Sequence, residues 1–139
     1  MLGSILCLDV GDQRVGLAVS DPTQTLGTPL KPEMRQNYRD WIKNVIEKEN
    51  IVLILVGMPY LASGKIGTQA KKTKSFIGEL SKTVTVPIKE IDERMSSIEA
   101  LNLLRQSPGY KGKKKRHKGT LDSASATVLL QHYLDTKKT

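Results

Sequence analysis

The chain has 139 residues, with 22 Lys or Arg against 14 Asp or Glu, a formal net charge of +8, 38% hydrophobic residues, and only one Phe and one Trp. That length suits a single domain, 1–139, with an aliphatic core of Ile, Val and Leu, and excludes two substantial cores, a fibrous repeat or a disordered chain. No apolar run approaches the roughly 18 residues that span a bilayer, and Asp9 interrupts the only N-terminal apolar stretch, so the expectation is a soluble, cytoplasmic protein with no membrane partner.

Residues 4–10 read as a buried strand. Gly11 and Asp12 then form a hairpin turn, and Arg14 to Ser20 alternates Val15, Leu17 and Val19 against Arg14, Gly16 and Ala18 as a second strand. A short third strand is expected around Gly27 to Lys31, on an edge where Pro29 and Pro32 are tolerated. From Asn37 the period changes. Tyr38, Trp41, Ile42, Val45 and Ile46 form one apolar stripe of a helix.

The continuous apolar run 51–56 fits a central strand buried on both faces, which the chain leaves at Gly57-Met58-Pro59. A second helix follows from about Thr68 to Lys82, with Ala70, Thr73, Ile77 and Leu80 inward. "TVTVPIKEIDER" reads as a last strand, placed at or near an edge by Pro87. Ser96 and Glu99 have capping-box spacing for a third helix running to about Gln106, stopped by Pro108 and Gly109. "LDSASATVLLQHYL" forms the final helix, whose small residues let its first turns approach the sheet closely. The order β-β-β-α-β-α-β-α-α predicts an α/β fold with one mixed sheet and helices on its faces.

Cys7 is the single cysteine, so there is no internal disulfide and no thiol to join His117 and His132 in a zinc pattern. It reads as a small core residue. The charge is local. Residues 111–118, "KGKKKRHK", hold six Lys or Arg and no acid, and the remainder of the chain is nearly balanced. Such a run is either a solvated loop or a contact for a polyanion, with an affinity that salt weakens.

Three acidic positions fall where elements end: Asp9 after the first strand, Asp92 and Glu93 after the last, and Asp122 at the start of the final helix. Each has a plain explanation, as a strand-end residue, a partner of Arg94 or a helix cap. If the first and last strands are parallel, however, these acids share the carboxyl edge where open α/β sheets place their ligands. Carboxylates gathered there repel one another unless a hard cation such as Mg²⁺ or Mn²⁺ joins them.

"LDVGDQRVGLAVSD", "LVGMP", "DER" followed by "SSIEA", and "LDSASATVLLQHYL" stand in the order and spacing of the YqgF family. The chain resembles these RuvC-like proteins, also called Holliday junction resolvases, over nearly its whole length. The resemblance implies an RNase H-like fold with a five-stranded mixed sheet, three antiparallel strands and then two parallel ones. It also implies a nuclease acting on the precursor of 16S ribosomal RNA, with branched DNA as the alternative substrate and ribosomal particles as partners.

Carried onto this sequence, the resemblance makes Asp9, Glu93 and Asp122 the metal-holding acids, with Asp92 the alternative to Glu93 because successive strand residues face opposite sides. Two cations about 3.5 to 4 Å apart are implied, one activating a water and the other stabilising the leaving oxygen. Arg94, Lys111, Lys113, Lys114, Lys115, Arg116 and Lys118 would draw in the phosphate backbone, which positions substrate without reading its sequence. Met58 and Tyr60 stand where Leu is expected, which alters the lining of a loop and no ligand.

Two other functions fit parts of the sequence. "LDVGDQRVG" also resembles the first phosphate loop of actin-like and sugar-kinase-like ATPases, but those need a second domain and a second Asp-x-Gly loop. A non-catalytic nucleic-acid-binding module would keep the fold and the basic run. A monomer and a homodimer both fit the sequence, and a dimer would favour a symmetric junction.

Overall fold

A computed structural model describes residues 3–95 and 118–137. Its five strands are β1 (Ser4–Val10), β2 (Arg14–Ser20), β3 (Gly27–Met34), β4 (Ile51–Met58) and β5 (Ile88–Asp92), and its helices are α1 (Tyr38–Glu49), α2 (Thr68–Thr83) and α3 (Lys118–Lys137). They form one sheet in the order β3-β2-β1-β4-β5. The β1–β2 and β2–β3 pairs are antiparallel, and β1–β4 and β4–β5 are parallel. The carboxyl ends of β1 and β5 therefore lie on one edge, as the acids required.

The two faces of β1 alternate as a strand must. Leu6, Leu8 and Val10 pack with Tyr38, Trp41, Ile42, Phe76 and Leu80 on the α1/α2 side, while Ile5 and Cys7 pack with Ala126, Leu129, Leu130 and Leu134 of α3 on the other. Trp41 Nε1 donates to Met34 O at 2.7 Å, which ties α1 to the end of β3. The left-handed Asn50 (φ 52°) ends α1, and its carbonyl accepts the Ser4 amide at 3.0 Å.

Several boundaries move. β3 runs on to Met34 as the edge strand, its prolines tolerated because one side has no partner. α2 continues through Thr83, and β5 begins only after Pro87, which lacks an N–H for the ladder; it too is an edge strand. Phe76 is fully buried on the inner side of α2, where the sequence reading put Ile77, which is only partly buried. Val52 is 42% exposed, so β4 is covered on both faces only beyond its start.

The β1–β2 connection spans Gly11 to Gln13 rather than a two-residue turn, and Gly11 donates to Arg14 O at 2.8 Å. Gly11 has no positive φ; it is needed because a Cβ there would stand 2.8 Å from that same carbonyl. The expected helix over 96–106 and the basic residues 111–117 lie outside the described residues.

Candidate active site

Asp9 follows Ile5 and Cys7 on the α3 side of β1 and is half-buried. Its partner across β2 is Gly16. On β4, Leu8 is paired with Val56, so Gly57 is the next residue beside Asp9. Two glycines thus flank the carboxylate and leave space around it.

Glu93 fills part of that space. Ile91 of β5 is paired with Gly57, and Glu93 lies two residues further on, in the short 3-10 turn Glu93–Met95. A Cβ on Gly57 would stand 3.4 Å from Glu93 Oε2 and 2.8 Å from Leu129 Cδ1. The Glu93 carboxyl faces that of Asp9. Burial raises the Glu93 pKa above its ordinary value, the charge of Asp92 adds to that, and the polar contact with Asp9 works against it. Two carboxylates side by side repel one another, and a cation held between them would relieve that repulsion.

Cys7 lies behind this pair. Burial pushes its thiol far up, and the charges of Asp9 and Glu93 push in the same direction. It is therefore an inert core thiol rather than a nucleophile.

Asp92 turns the other way. It is paired with Met58, one position out of phase with Ile91 and Gly57. Its carboxylate accepts the Arg94 amide at 3.0 Å, Arg94 Nε at 3.0 Å and Arg94 Nη2 at 2.5 Å. These bonds lower the Asp92 pKa, the side-chain contact with Arg94 being the main cause. Arg94 Nη1 also reaches Leu61 O and Ala62 O at 3.5 and 3.4 Å, and its guanidinium lies 5.8 Å from the Tyr60 ring centre. Arg94, a candidate phosphate contact in the sequence, is thus held by Asp92 and by the β4–α2 loop.

The third expected acid sits on α3. The helix opens at Lys118, so Asp122 lies in its second turn and not at the cap. Ser123 Oγ donates to Leu30 O at 2.8 Å and accepts the Leu17 amide at 3.4 Å. Leu17 pairs with Leu30 on one side and Leu8 on the other. Further along α3, Gln131 Oε1 accepts the Gly27 amide at 2.9 Å, and Gly27 pairs with Ser20 at the far end of β2. The helix therefore runs from the carboxyl end of β1 back towards its start, and the turn carrying Asp122 lies towards the edge of Asp9.

Among the described residues no three His, Cys, Asp or Glu side chains gather as a metal cluster; the described core of the site is the Asp9–Glu93 pair. Its donors are carboxylate oxygens only, and their mutual repulsion is what an added cation would relieve. That donor chemistry fits a hard divalent ion. Gly16, Gly57 and Ser123 were missed as site residues in the sequence; the signal was the phase of the strands, which sets glycines beside Asp9 once the register is known.

A sheet ordered β3-β2-β1-β4-β5, with carboxylates at the shared carboxyl edge of β1 and β5, is an RNase H-like fold. The fold is similar to that of T. thermophilus RuvC in complex with Holliday junction substrate, with a TM-score of 0.61 at 14% identity over 98% of this chain and 96% of that one. The chain belongs to the RuvX family, described as Holliday junction resolvase, which matches residues 3–136. It is 35% identical over 136 residues to the Synechocystis sp. protein named "Putative pre-16S rRNA nuclease", covering 96% of this chain and 88% of the relative. A Crocosphaera subtropica protein of the same name is 36% identical over 138 residues, covering 97% and 94%. The family resemblance read from the four motifs is borne out.

Proposed function

We propose that this chain is a metal-dependent nuclease that hydrolyses phosphodiester bonds in the processing of pre-16S rRNA, as a single cytoplasmic domain over 1–139. The observation that carries the reading is the half-buried Asp9–Glu93 carboxyl pair at the carboxyl edge of the sheet. The names of relatives about one-third identical over nearly the whole chain support the substrate.

Asp9 and Glu93, with Asp122 from α3, would hold Mg²⁺ or Mn²⁺. Those ions supply the activated water and the charge that stabilises the leaving oxygen. Gly16 and Gly57 keep the space around the acids open. Asp92 orients Arg94, which fixes the loop beside the site. Lys111, Lys113, Lys114, Lys115, Arg116 and Lys118 attract the phosphate backbone without reading its sequence.

The test offers the purified protein, with Mg²⁺ or Mn²⁺, a pre-16S rRNA fragment and a synthetic four-way DNA junction, beside Asp9→Asn. The expected result is metal-dependent cleavage of the RNA that is lost in the variant while binding remains. Cleavage of the junction alone would move the substrate to branched DNA. Binding without cleavage of either would make the chain a nucleic-acid-binding module, and equal activity in both proteins would remove Asp9 from the site.

A further inference from the structure

On the α1/α2 side of the same sheet edge, beside the β1–β2 loop, lies a cavity of about 620 Å³ lined by Asp12, Arg35, Arg39 and Glu79 over the rings of Tyr38 and Phe76. Its charged groups are not equivalent. Asp12 Oδ1 lies 3.4 Å from Lys72 Nζ, and Glu79 Oε1 lies 3.8 Å from Arg39 Nη2, so each acid has a cation of its own. Arg35 has no carboxylate within ion-pair distance among the described residues.

What Arg35 has instead are contacts that aim it. Nη1 donates to Gly11 O and Nη2 to Lys72 O, each at 3.2 Å, and the guanidinium carbon lies 5.4 Å from the Phe76 ring centre. The residue is half-buried. A guanidinium partly withdrawn from water, with its charge uncompensated and N–H groups to spare, is prepared for an anion. Its planar fork matches phosphate oxygens, and fixing the fork in advance reduces the entropy lost on binding. Gly11, whose carbonyl Arg35 holds, is two residues from Asp9.

We propose that Arg35 forms a phosphate-binding subsite, taking one backbone phosphate of a nucleic-acid strand that passes from the Asp9–Glu93 edge over the β1–β2 loop to the α1/α2 side. The inference rests on the nuclease reading for the path of the strand and adds a contact on the face opposite the carboxylates. With Lys72, from outside the lining, beside Asp12 and Arg39 beside Glu79, Arg35 is the arginine of the cavity left without a carboxylate at ion-pair distance among the described residues.

The test measures binding of the full chain to the pre-16S rRNA fragment and to duplex DNA across a salt series, with chelator present so that substrate stays intact. Arg35→Gln is expected to reduce the slope of log K against log salt by about 0.7 on single strands and 0.9 on duplex, the loss of one phosphate contact, and to weaken unrelated sequences alike. Arg35→Lys keeps the charge and is expected to keep the slope. An unchanged slope in Arg35→Gln, even with lower affinity, would mean that Arg35 only braces the β1–β2 loop and would overturn the proposal; so would an equal fall in slope for Arg35→Lys. Titration with inorganic phosphate separates the sources: phosphate binding lost in Arg35→Gln with the nucleic-acid slope unchanged would assign the subsite to a free phosphate and overturn the strand path. An Arg35-dependent slope in a protein that does not cleave leaves the subsite standing and removes the nuclease, whereas cleavage with an unchanged slope does the reverse.

Discussion

On the α1/α2 face of the sheet, Leu6, Leu8 and Val10 of β1 meet Tyr38, Trp41 and Phe76, and the aromatic rings fill the layer. On the α3 face, Ile5 and Cys7 lead in the same phase to Asp9, and the positions beside it are Gly16 and Gly57. One strand thus serves a packed core on one side and an open carboxylate site on the other. The packed face fixes the strands tightly enough that the acids on the open face can be held against their mutual repulsion.

The largest difference is expected between the two neighbouring acids at the end of β5. Glu93→Gln is expected to lower single-turnover cleavage on the order of 10²–10⁴-fold, the range for removing a group that organises the chemistry, while Asp92→Asn costs less than about tenfold because it only loosens Arg94. Equal losses would erase the distinction between the two side chains. On the packed face, Phe76→Ala removes a ring that meets Tyr38 edge-on with centres 5.1 Å apart. It should cost about 3–5 kcal/mol in chemical denaturation. A cost below about 1 kcal/mol would show that this layer does not hold the sheet.

Gly57→Val probes the open face with a smaller effect. The added methyls press on Leu129 and Glu93, for an expected loss of about 1–3 kcal/mol together with lower cleavage. Full stability and full activity would mean that the space beside Asp9 is not needed.

The smallest effect lies away from both faces. Asp21 accepts the amides of Thr25 and Leu26 at 2.8 Å each and a bond from the Thr23 hydroxyl. The Leu26 amide is the leading cause of a pKa well below the usual carboxylate range. A carboxyl whose folded pKa is depressed adds stability above its unfolded pKa of about 4, and that stability is lost as pH falls through the folded value. Asp21→Asn should therefore lower the melting temperature at pH 7, with the gap to wild type closing below about pH 4. A gap that stays constant down to pH 2 would show that the charge is not involved.

Much of this was legible in residue patterns. The alternation in β1 and β2, the apolar stripe of α1 and the run 51–56 gave elements close to those observed, because burial on one or two faces imposes a period that sequence displays directly. β3 and β5 were less legible: their ends are set by which partner a prolyl residue leaves unpaired, and that depends on the sheet. The burial of Phe76 on α2 escaped the sequence pattern, which points Ile77 inward, for a related reason: the ring is placed by its packing against Tyr38.

The aliphatic core, the order of the described strands and helices, the places of the acids along the chain and the family were all readable from residue pattern, since these follow from local periodicity and from motifs in linear order. The three-dimensional arrangement alone sets Glu93 rather than Asp92 beside Asp9, flanks that acid with glycines of two neighbouring strands, and gives Arg94 a carboxylate partner while Arg35 has none within ion-pair distance among the described residues. Those facts depend on strand register and on which groups become neighbours across tens of residues, and one residue of register moves every side chain to the opposite face.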